Sequence, residues 1–215
     1  MVQKLCAAAC LVSSLQGVST PVVVERATVA DYQAILPTTL AVFQEVINPC
    51  LQQVNAQHSL AVPLVSAEGL HTSLMGMLTN PAMRVYKACD GETKEILGYA
   101  ATIKRSEWVP SPNESAFSTG KFLAGADESD VVIRQMHVCS KARGQGIGKK
   151  LMAAIIADYP ESTMFSLCTV KTNETAIKFY TRLGFSDVTV GDEWRTDGRI
   201  RMRVTPAAFF TAITK

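Results

Sequence analysis

Apolar positions recur along the chain with two different periods, and the order in which the periods alternate sets the fold class. Val22–Val24 opens an extended run that Glu25, Arg26 and Ala27 continue. Thr28 and Asp31 are both able to start a helix, and Tyr32, Ile35, Leu36, Leu40 and Phe43 then supply its buried side. Pro37 should kink or divide that helix, because proline removes a backbone donor and crowds the preceding turn. Residues 44–82 read as helical with breaks at Pro49, Pro63 and Asn80-Pro81. A hairpin follows, in which Arg84–Cys89 and Ile96–Lys104 flank the turn-forming Asp90-Gly91-Glu92-Thr93-Lys94. Residues 106–129 gather Pro, Ser, Gly, Asn and Asp and predict a long loop, of a length that is often functional.

The second half is more regular. Val131–Val138 is a strong strand, and a helix is predicted from about Gly146 to Asp158, with Ile147, Leu151, Ala154 and Ile155 on one face. Tyr159-Pro160 ends it. Met164–Val170 is a further strand, and Asn173–Leu183 a further helix closed by Gly184. Two last strands, Val188–Trp194 and Ile200–Val204, flank a turn at Asp197-Gly198. The order is strand, helices, hairpin, strand, helix, strand, helix, two strands. This predicts an α/β protein with a mixed sheet, and differs from the regular alternation of a doubly wound fold. No internal repeat is visible.

Composition narrows the function classes. At 215 residues, with 47% hydrophobic and 19% charged, the chain suits one packed domain over residues 21–215, with residues 1–20 as an extension. The 21 Lys+Arg nearly balance the 19 Asp+Glu, so no electrostatic footprint for nucleic acid is expected. No run approaches ~18 consecutive apolar residues, so no membrane span is expected. The cysteines at 6, 10, 50, 89, 139 and 168 form no C-x-x-C pair, and His58, His71 and His137 lie apart from any such pair. No metal site is expected, and the thiols read as reduced in an intracellular, cytoplasmic protein. At the amino terminus, Lys4, the apolar Leu5–Leu15 and small residues at Gly17 and Ser19 have the outline of a secretory signal. The same residues also read as an extra helix or a plain extension. The segment has no arginine, which speaks against an organelle address.

Chemistry concentrates in Arg143-Gly144-Gln145-Gly146-Ile147-Gly148-Lys149-Lys150, between a predicted strand and a predicted helix. The first amides of a helix lack internal partners and carry the positive end of its dipole. Glycines let an anion approach them, and Arg143, Lys149 and Lys150 add positive charge, so the segment points to phosphate or pyrophosphate. It is neither of two familiar phosphate loops. Gly144 and Gly148 are too close for G-x-x-x-x-G-K-[ST], and G-x-G-x-G differs from the dinucleotide G-x-G-x-x-G.

Arg143–Gly148 resembles the R/Q-x-x-G-x-G/A loop of the GNAT superfamily of acetyl-CoA-dependent N-acetyltransferases. Met136-His137-Val138 stands where that family has a Leu-x-Val strand end. Asn173-Glu174-Thr175-Ala176-Ile177-Lys178-Phe179-Tyr180-Thr181-Arg182-Leu183-Gly184-Phe185 resembles its second hallmark, N-x-x-A-x-x-F/L-Y-x-x-x-G-F. The resemblance covers roughly residues 22–205. It implies a GNAT-like fold, with a central, mostly antiparallel sheet splayed at the coenzyme helix and helices flanking it.

It also implies roles. Arg143, Gly144, Gln145, Gly146, Ile147 and Gly148 would hold the coenzyme A pyrophosphate. Met136, His137 and Val138 would border the pantetheine arm, Asn173 would contact the coenzyme, and Tyr180 would protonate the departing thiolate. Acetyl-CoA is the implied cosubstrate, and a small-molecule or peptide amine the acceptor. The acceptor site would draw on residues 31–60, 106–129 and the Asp192–Arg199 turn. A non-catalytic acyl-CoA-binding domain, or an unrelated nucleotide-binding protein, is the alternative.

The base stays open. The strand Val131–Val138 holds no carboxylate, and Glu128 and Asp130 precede it. His137 has the intrinsic pKa of a base. Strict alternation turns it from the reacting face, and a bulge would reverse that. A water relay or a loop carboxylate is the other route. Cys139 reads as a small residue near a strand end, and direct transfer is expected over a covalent acetyl-enzyme.

Overall fold

The computed structural model describes residues 21–108, 128–196 and 198–214. Their strands are β1 (Val22–Arg26), β2 (Met83–Asp90), β3 (Ile96–Lys104), β4 (Val131–Val138), β5 (Phe165–Val170), β6 (Ser186–Asp187) and β7 (Arg199–Val204). They form one seven-stranded sheet in the order β1-β2-β3-β4-β5-β7-β6. Every pairing is antiparallel except β4 with β5. The expected mixed, mostly antiparallel sheet is therefore present.

The helices are α1 (Tyr32–Val42), α2 (Asn48–His58), α3 (Ala67–Thr79), α4 (Ile147–Asp158), α5 (Glu174–Arg182) and α6 (Pro206–Ile213). Alternate residues of the same strands serve two cores, as a period of two requires. Tyr86, Ala88 and Ala100 pack in a cluster with Ile147, Leu151, Met152 and Ile155 of α4. Val85, Tyr99 and Ala101 pack with Ile35 and Leu36 of α1 and Leu74 and Met77 of α3.

Neither Pro37 nor Pro49 breaks the first helix, contrary to expectation. Pro37 and Gln33, whose carbonyl loses its partner, are both exposed, so water can satisfy that group. Before Pro49 the helix widens into a π-turn over Phe43–Ile47, where the Asn48 N–H donates to the Phe43 carbonyl five residues back. The wide turn relieves the crowding that Pro49 would impose on residue 45 in a regular helix. The continuous stretch Val29–His58, 30 residues, is long and apolar enough to cross a bilayer by length and composition. In this fold it instead buries Ile35, Leu36, Thr39, Val42, Leu51 and Val54.

Two further expectations change near the carboxyl end. The predicted strand Val188–Trp194 is not one. Strand pairing covers only Ser186–Asp187: the Val188 N–H still donates to the Arg201 carbonyl at 2.8 Å, but the Arg201 N–H is taken by the Thr189 hydroxyl at 2.8 Å, and the ladder goes no further. Val190 is 70% exposed, and a short 3-10 turn covers Glu193–Thr196. Asp197, half of the predicted turn, lies outside the described residues. Helix α6 was not expected, although Thr205-Pro206 is a start signal. The Thr205 side chain accepts from the Ala208 N–H, proline takes a first-turn position, and Phe209 is buried.

Candidate functional site

Strands β4 and β5 pair only at Val131–Phe165, Val132–Ser166 and Ile133–Leu167. Beyond Ile133 they separate, so Arg134–Val138 and Cys168–Val170 face each other without a ladder between them. Unpaired strand groups must find other partners. A cavity of about 870 Å³ occupies the gap.

A bulge in β4 decides which side chains enter. Ala101 pairs with Gln135 and Thr102 with Ile133, which leaves Arg134 as the extra residue. Its guanidinium lies 3.8 Å from the Trp108 ring centroid. The extra residue switches the alternation. Ile133 before the bulge, and Met136 and Val138 after it, all pack against the α4 cluster. Gln135 and His137 turn to the opposite side. There the Tyr99 hydroxyl donates to Gln135 Oε1 at 2.5 Å, and the Thr39 hydroxyl donates to the Tyr99 oxygen at 2.9 Å.

His137 is 6% exposed, with its ring edge-on to Phe43 and Tyr99 at 5.2 and 5.1 Å. Its Nδ1 is buried without a hydrogen-bond partner among the described residues. Burial, helped by the positive charge of Arg143, pulls its pKa down to about 3. The bulge does turn His137, and burial of the ring works against its taking a proton as the base. Asp130 is placed away from the cavity. It is 1% exposed, its carboxylate accepts from Arg203 Nη2 at 3.0 Å, and it precedes the end of β4 opposite the cavity. Glu128 does not line the cavity either.

At the far end of β4 the chain turns through Ser140–Ala142 into the glycine segment. Gly144 and Gly146 have φ of +80° and +75°, where a side chain is strained, and a Cβ at either would meet nothing within 4 Å. The N-termini of α3, α5 and α6 are capped by the side chains of Ser66, Asn173 and Thr205. Helix α4 begins at Gly146 with no side-chain cap, so its first-turn amides stay available. Gly148 has a different reason to be glycine. A Cβ there would lie 2.6 Å from Phe179 Cζ, so it permits α4 and α5 to pack closely.

The arrangement gathers most of the expected residues. Met136, His137, Val138, Arg143, Gly144, Gly146, Ile147, Gly148, Asn173 and Tyr180 all line the cavity. Gln145 does not, and its side-chain amide donates to the Lys141 carbonyl at 2.9 Å. Lys149 and Lys150 also stay outside: Lys149 donates to the Ile213 carbonyl, and Lys150 is buried. Lys178, Arg182, Arg134 and Arg199 supply positive charge instead, together with Arg143. Arg199 ends the Asp192–Arg199 turn that was expected at the acceptor site, whereas Lys178, Arg182 and Arg134 were not anticipated. Lys178 and Arg182 were legible, since both stand four and eight residues after Glu174 on the helix that carries Tyr180.

Asn173 combines two duties. Its Oδ1 accepts from the Ala176 N–H at 3.2 Å, and the residue lines the cavity. Tyr180, one face along α5, is 8% exposed between the Phe179 and Phe185 rings. Burial pushes its phenol well above the ordinary range, so the hydroxyl keeps its proton at any working pH. The residues present suit a pyrophosphate-bearing cosubstrate: uncapped amides, two glycines open to the cavity, and cationic side chains around them.

Comparison with known proteins agrees with this geometry. The model of the acetyltransferase (GNAT) family matches residues 64–185. No curated protein matches the sequence significantly. Among solved structures, a GCN5-related N-acetyltransferase from Kribbella flavida is similar at 20% identity and a TM-score of 0.54, covering 86% of this chain and 97% of its own. The PaiA N-acetyltransferase from Thermoplasma acidophilum, solved in complex with coenzyme A, is similar at 11% identity and a TM-score of 0.53, covering 86% and 99%. An aminoglycoside 6'-acetyltransferase type Ii is similar at 14% identity and a TM-score of 0.55, covering 85% and 96%. The family model spans more than half of the chain, from the loop before α3 through both glycine-bearing motifs, and the chain therefore belongs to the GNAT family of acetyltransferases.

Proposed function

We propose that this acyltransferase moves an acetyl group from acetyl-CoA directly to a primary amine. The observation that carries the reading is the splay of β4 from β5 beside the uncapped, glycine-lined start of α4. In this reading the amides of α4's first turn and the Arg143 side chain hold the pyrophosphate. The pantetheine arm lies in the gap and takes up the strand groups of Met136–Val138 that β5 leaves unpaired.

The acceptor nitrogen, neutral when it attacks, forms the new C–N bond to the thioester carbonyl carbon. Backbone N–H groups at the end of β4 polarise that carbonyl and carry the oxyanion. The C–S bond then breaks, and the coenzyme sulfur takes the proton of the Tyr180 hydroxyl. The amine's surplus proton leaves to water, a route favoured among the described residues by the burial of His137 and the pairing of Asp130 with Arg203. The phenolate regains its proton from solvent.

Thermal shifts with acetyl-CoA, CoA, ATP and NAD test the cosubstrate. Stabilisation by both coenzyme A forms is expected, and stabilisation by ATP or NAD alone overturns the reading. Thiol release with an amine panel then separates a catalyst from a mere binder.

A further inference from the structure

Another part of the cavity lining comes from the early helices, and its chemistry is different. Val42, Phe43, Val46 and Ile47 reach it from the end of α1 and the π-turn, Val65 from the following loop, and Leu70 from α3. These six are all apolar, and of the other lining residues of α3, Gly69 and Ser73, only Ser73 is polar. The wall is also held in place. The Asn48 side-chain amide donates to the Val65 carbonyl and its Oδ1 accepts from the Val65 N–H, both at 3.0 Å. Asn55 clamps Val62 through the same two-way pair at 2.9 Å. The loop that carries Val65 is thus tied to α2 twice, so the apolar wall is preformed.

Charge gives a second, independent constraint. The ionisable side chains of constant charge that line the whole cavity are Arg134, Arg143, Lys178, Arg182 and Arg199, all positive. No carboxylate lines it among the described residues. Arg143 is taken up by the pyrophosphate in this reading, and Lys178 pairs with Glu174. What an acceptor meets is then an apolar wall with no carboxylate among the described lining residues. An acceptor with several ammonium groups would lose its water there without a partner. An amine on a ring-sized apolar body buries that body and presents one nitrogen towards the end of β4.

Resting on the acetyl-transfer reading above, we infer that the acceptor is a small primary amine borne on an apolar, aromatic-sized body, and that the wall of α1, the π-turn, Val65 and Leu70 selects it over polycationic amines.

The test compares phenethylamine and tryptamine with spermidine and kanamycin, measuring thiol release at saturating acetyl-CoA, and CoA affinity by calorimetry. An arylalkylamine should exceed spermidine in kcat/KM by about 100-fold, the scale on which apolar pockets discriminate. Val46→Glu places a carboxylate in the wall. It should raise the arylalkylamine KM at least about tenfold while CoA affinity stays at the wild-type value, which also certifies folding. Val46→Leu should restore the arylalkylamine KM. Equal or faster turnover of spermidine or kanamycin overturns the inference. So does a Val46→Glu protein that binds CoA and keeps its arylalkylamine KM, or a wild type that binds CoA and turns over no arylalkylamine. A wild type that does not bind CoA at all instead sinks the cosubstrate reading, and this inference with it.

Discussion

On the proposed reading the cavity lining divides into a coenzyme arm and an acceptor arm, and the two are built on opposite principles. The coenzyme arm is mostly backbone: glycines at positive φ, an uncapped helix start and strand groups without a ladder. The acceptor arm is mostly side chain, with apolar residues from α1, the π-turn, a loop and α3. Backbone geometry suits a feature common to every acetyl-CoA, its pyrophosphate and its amide arm, which the proposal places there. Side chains can change without disturbing the sheet, so the acceptor arm is where specificity can vary. The bulge at Arg134 joins the two. It sends Met136 and Val138 to the coenzyme side and Gln135 and His137 to the other.

The sharpest way to test this division is at the reacting end of the coenzyme arm. Tyr180→Phe should lower kcat by about 100- to 10,000-fold, the usual worth of general acid catalysis, with CoA affinity near its original value. The ring stays, so the packing with Phe179 and Phe185 and the melting temperature should survive. Normal turnover on the true acceptor would make Tyr180 only a core aromatic.

Gly146→Val should act on binding. Its side chain enters space that is open within 4 Å, where the pyrophosphate is proposed to sit, at a φ of +75° that strains any side chain. Losing one charge-assisted contact is worth about 10- to 100-fold in CoA affinity. A folded variant with unchanged CoA affinity, by calorimetry, would take the loop out of the mechanism.

Gly148→Ala should do something else, though it stands two residues away. Its Cβ would press on Phe179 at 2.6 Å, so overpacking should cost roughly 1–3 kcal/mol of stability. Denaturant unfolding would report it. A CoA affinity that falls as far as in Gly146→Val, with stability intact, would mean that Gly148 belongs to the phosphate site after all.

His137 sits at the junction, and near neutral pH its replacement should have the smallest effect of the four, showing only as the pH falls. Its folded pKa of about 3 lies below the ordinary 6.5, so the unfolded chain takes up the proton first. Stability from this residue is complete above pH 6.5 and is lost as pH falls towards 3, at about 1.4 kcal/mol per pH unit. His137→Leu should flatten that part of the stability curve, and should leave no missing ionisation near 6.5 in the pH profile of kcat. Loss of such an ionisation would restore His137 as the base.

Much of the coenzyme arm could be read directly because its information is local. Glycine spacing, a helix start and a capping asparagine act within a few residues, so Arg143–Gly148 and Asn173–Tyr180 announce their geometry in one dimension. The sheet order beyond β5 was less readable. Val188–Trp194 has the pattern of a strand, yet the Thr189 hydroxyl takes the Arg201 N–H that a longer ladder would need, a competition visible only once the two segments are paired. The two prolines of the first helix misled for a related reason: a solvent-facing carbonyl tolerates Pro37, and a π-turn accommodates Pro49. The acceptor arm was legible only as a region, residues 31–60, which holds Val42, Phe43, Val46 and Ile47; the part that Val65 and Leu70 play was not. Val42, Val65 and Leu70 meet only because α1, α2 and α3 pack as they do, and the facing of His137 depends on one extra residue in β4. Local sequence determined which segments could bind an anion and donate a proton. Only tertiary packing decided which side chains share a wall, because burial and charge at a site are sums over residues distant along the chain.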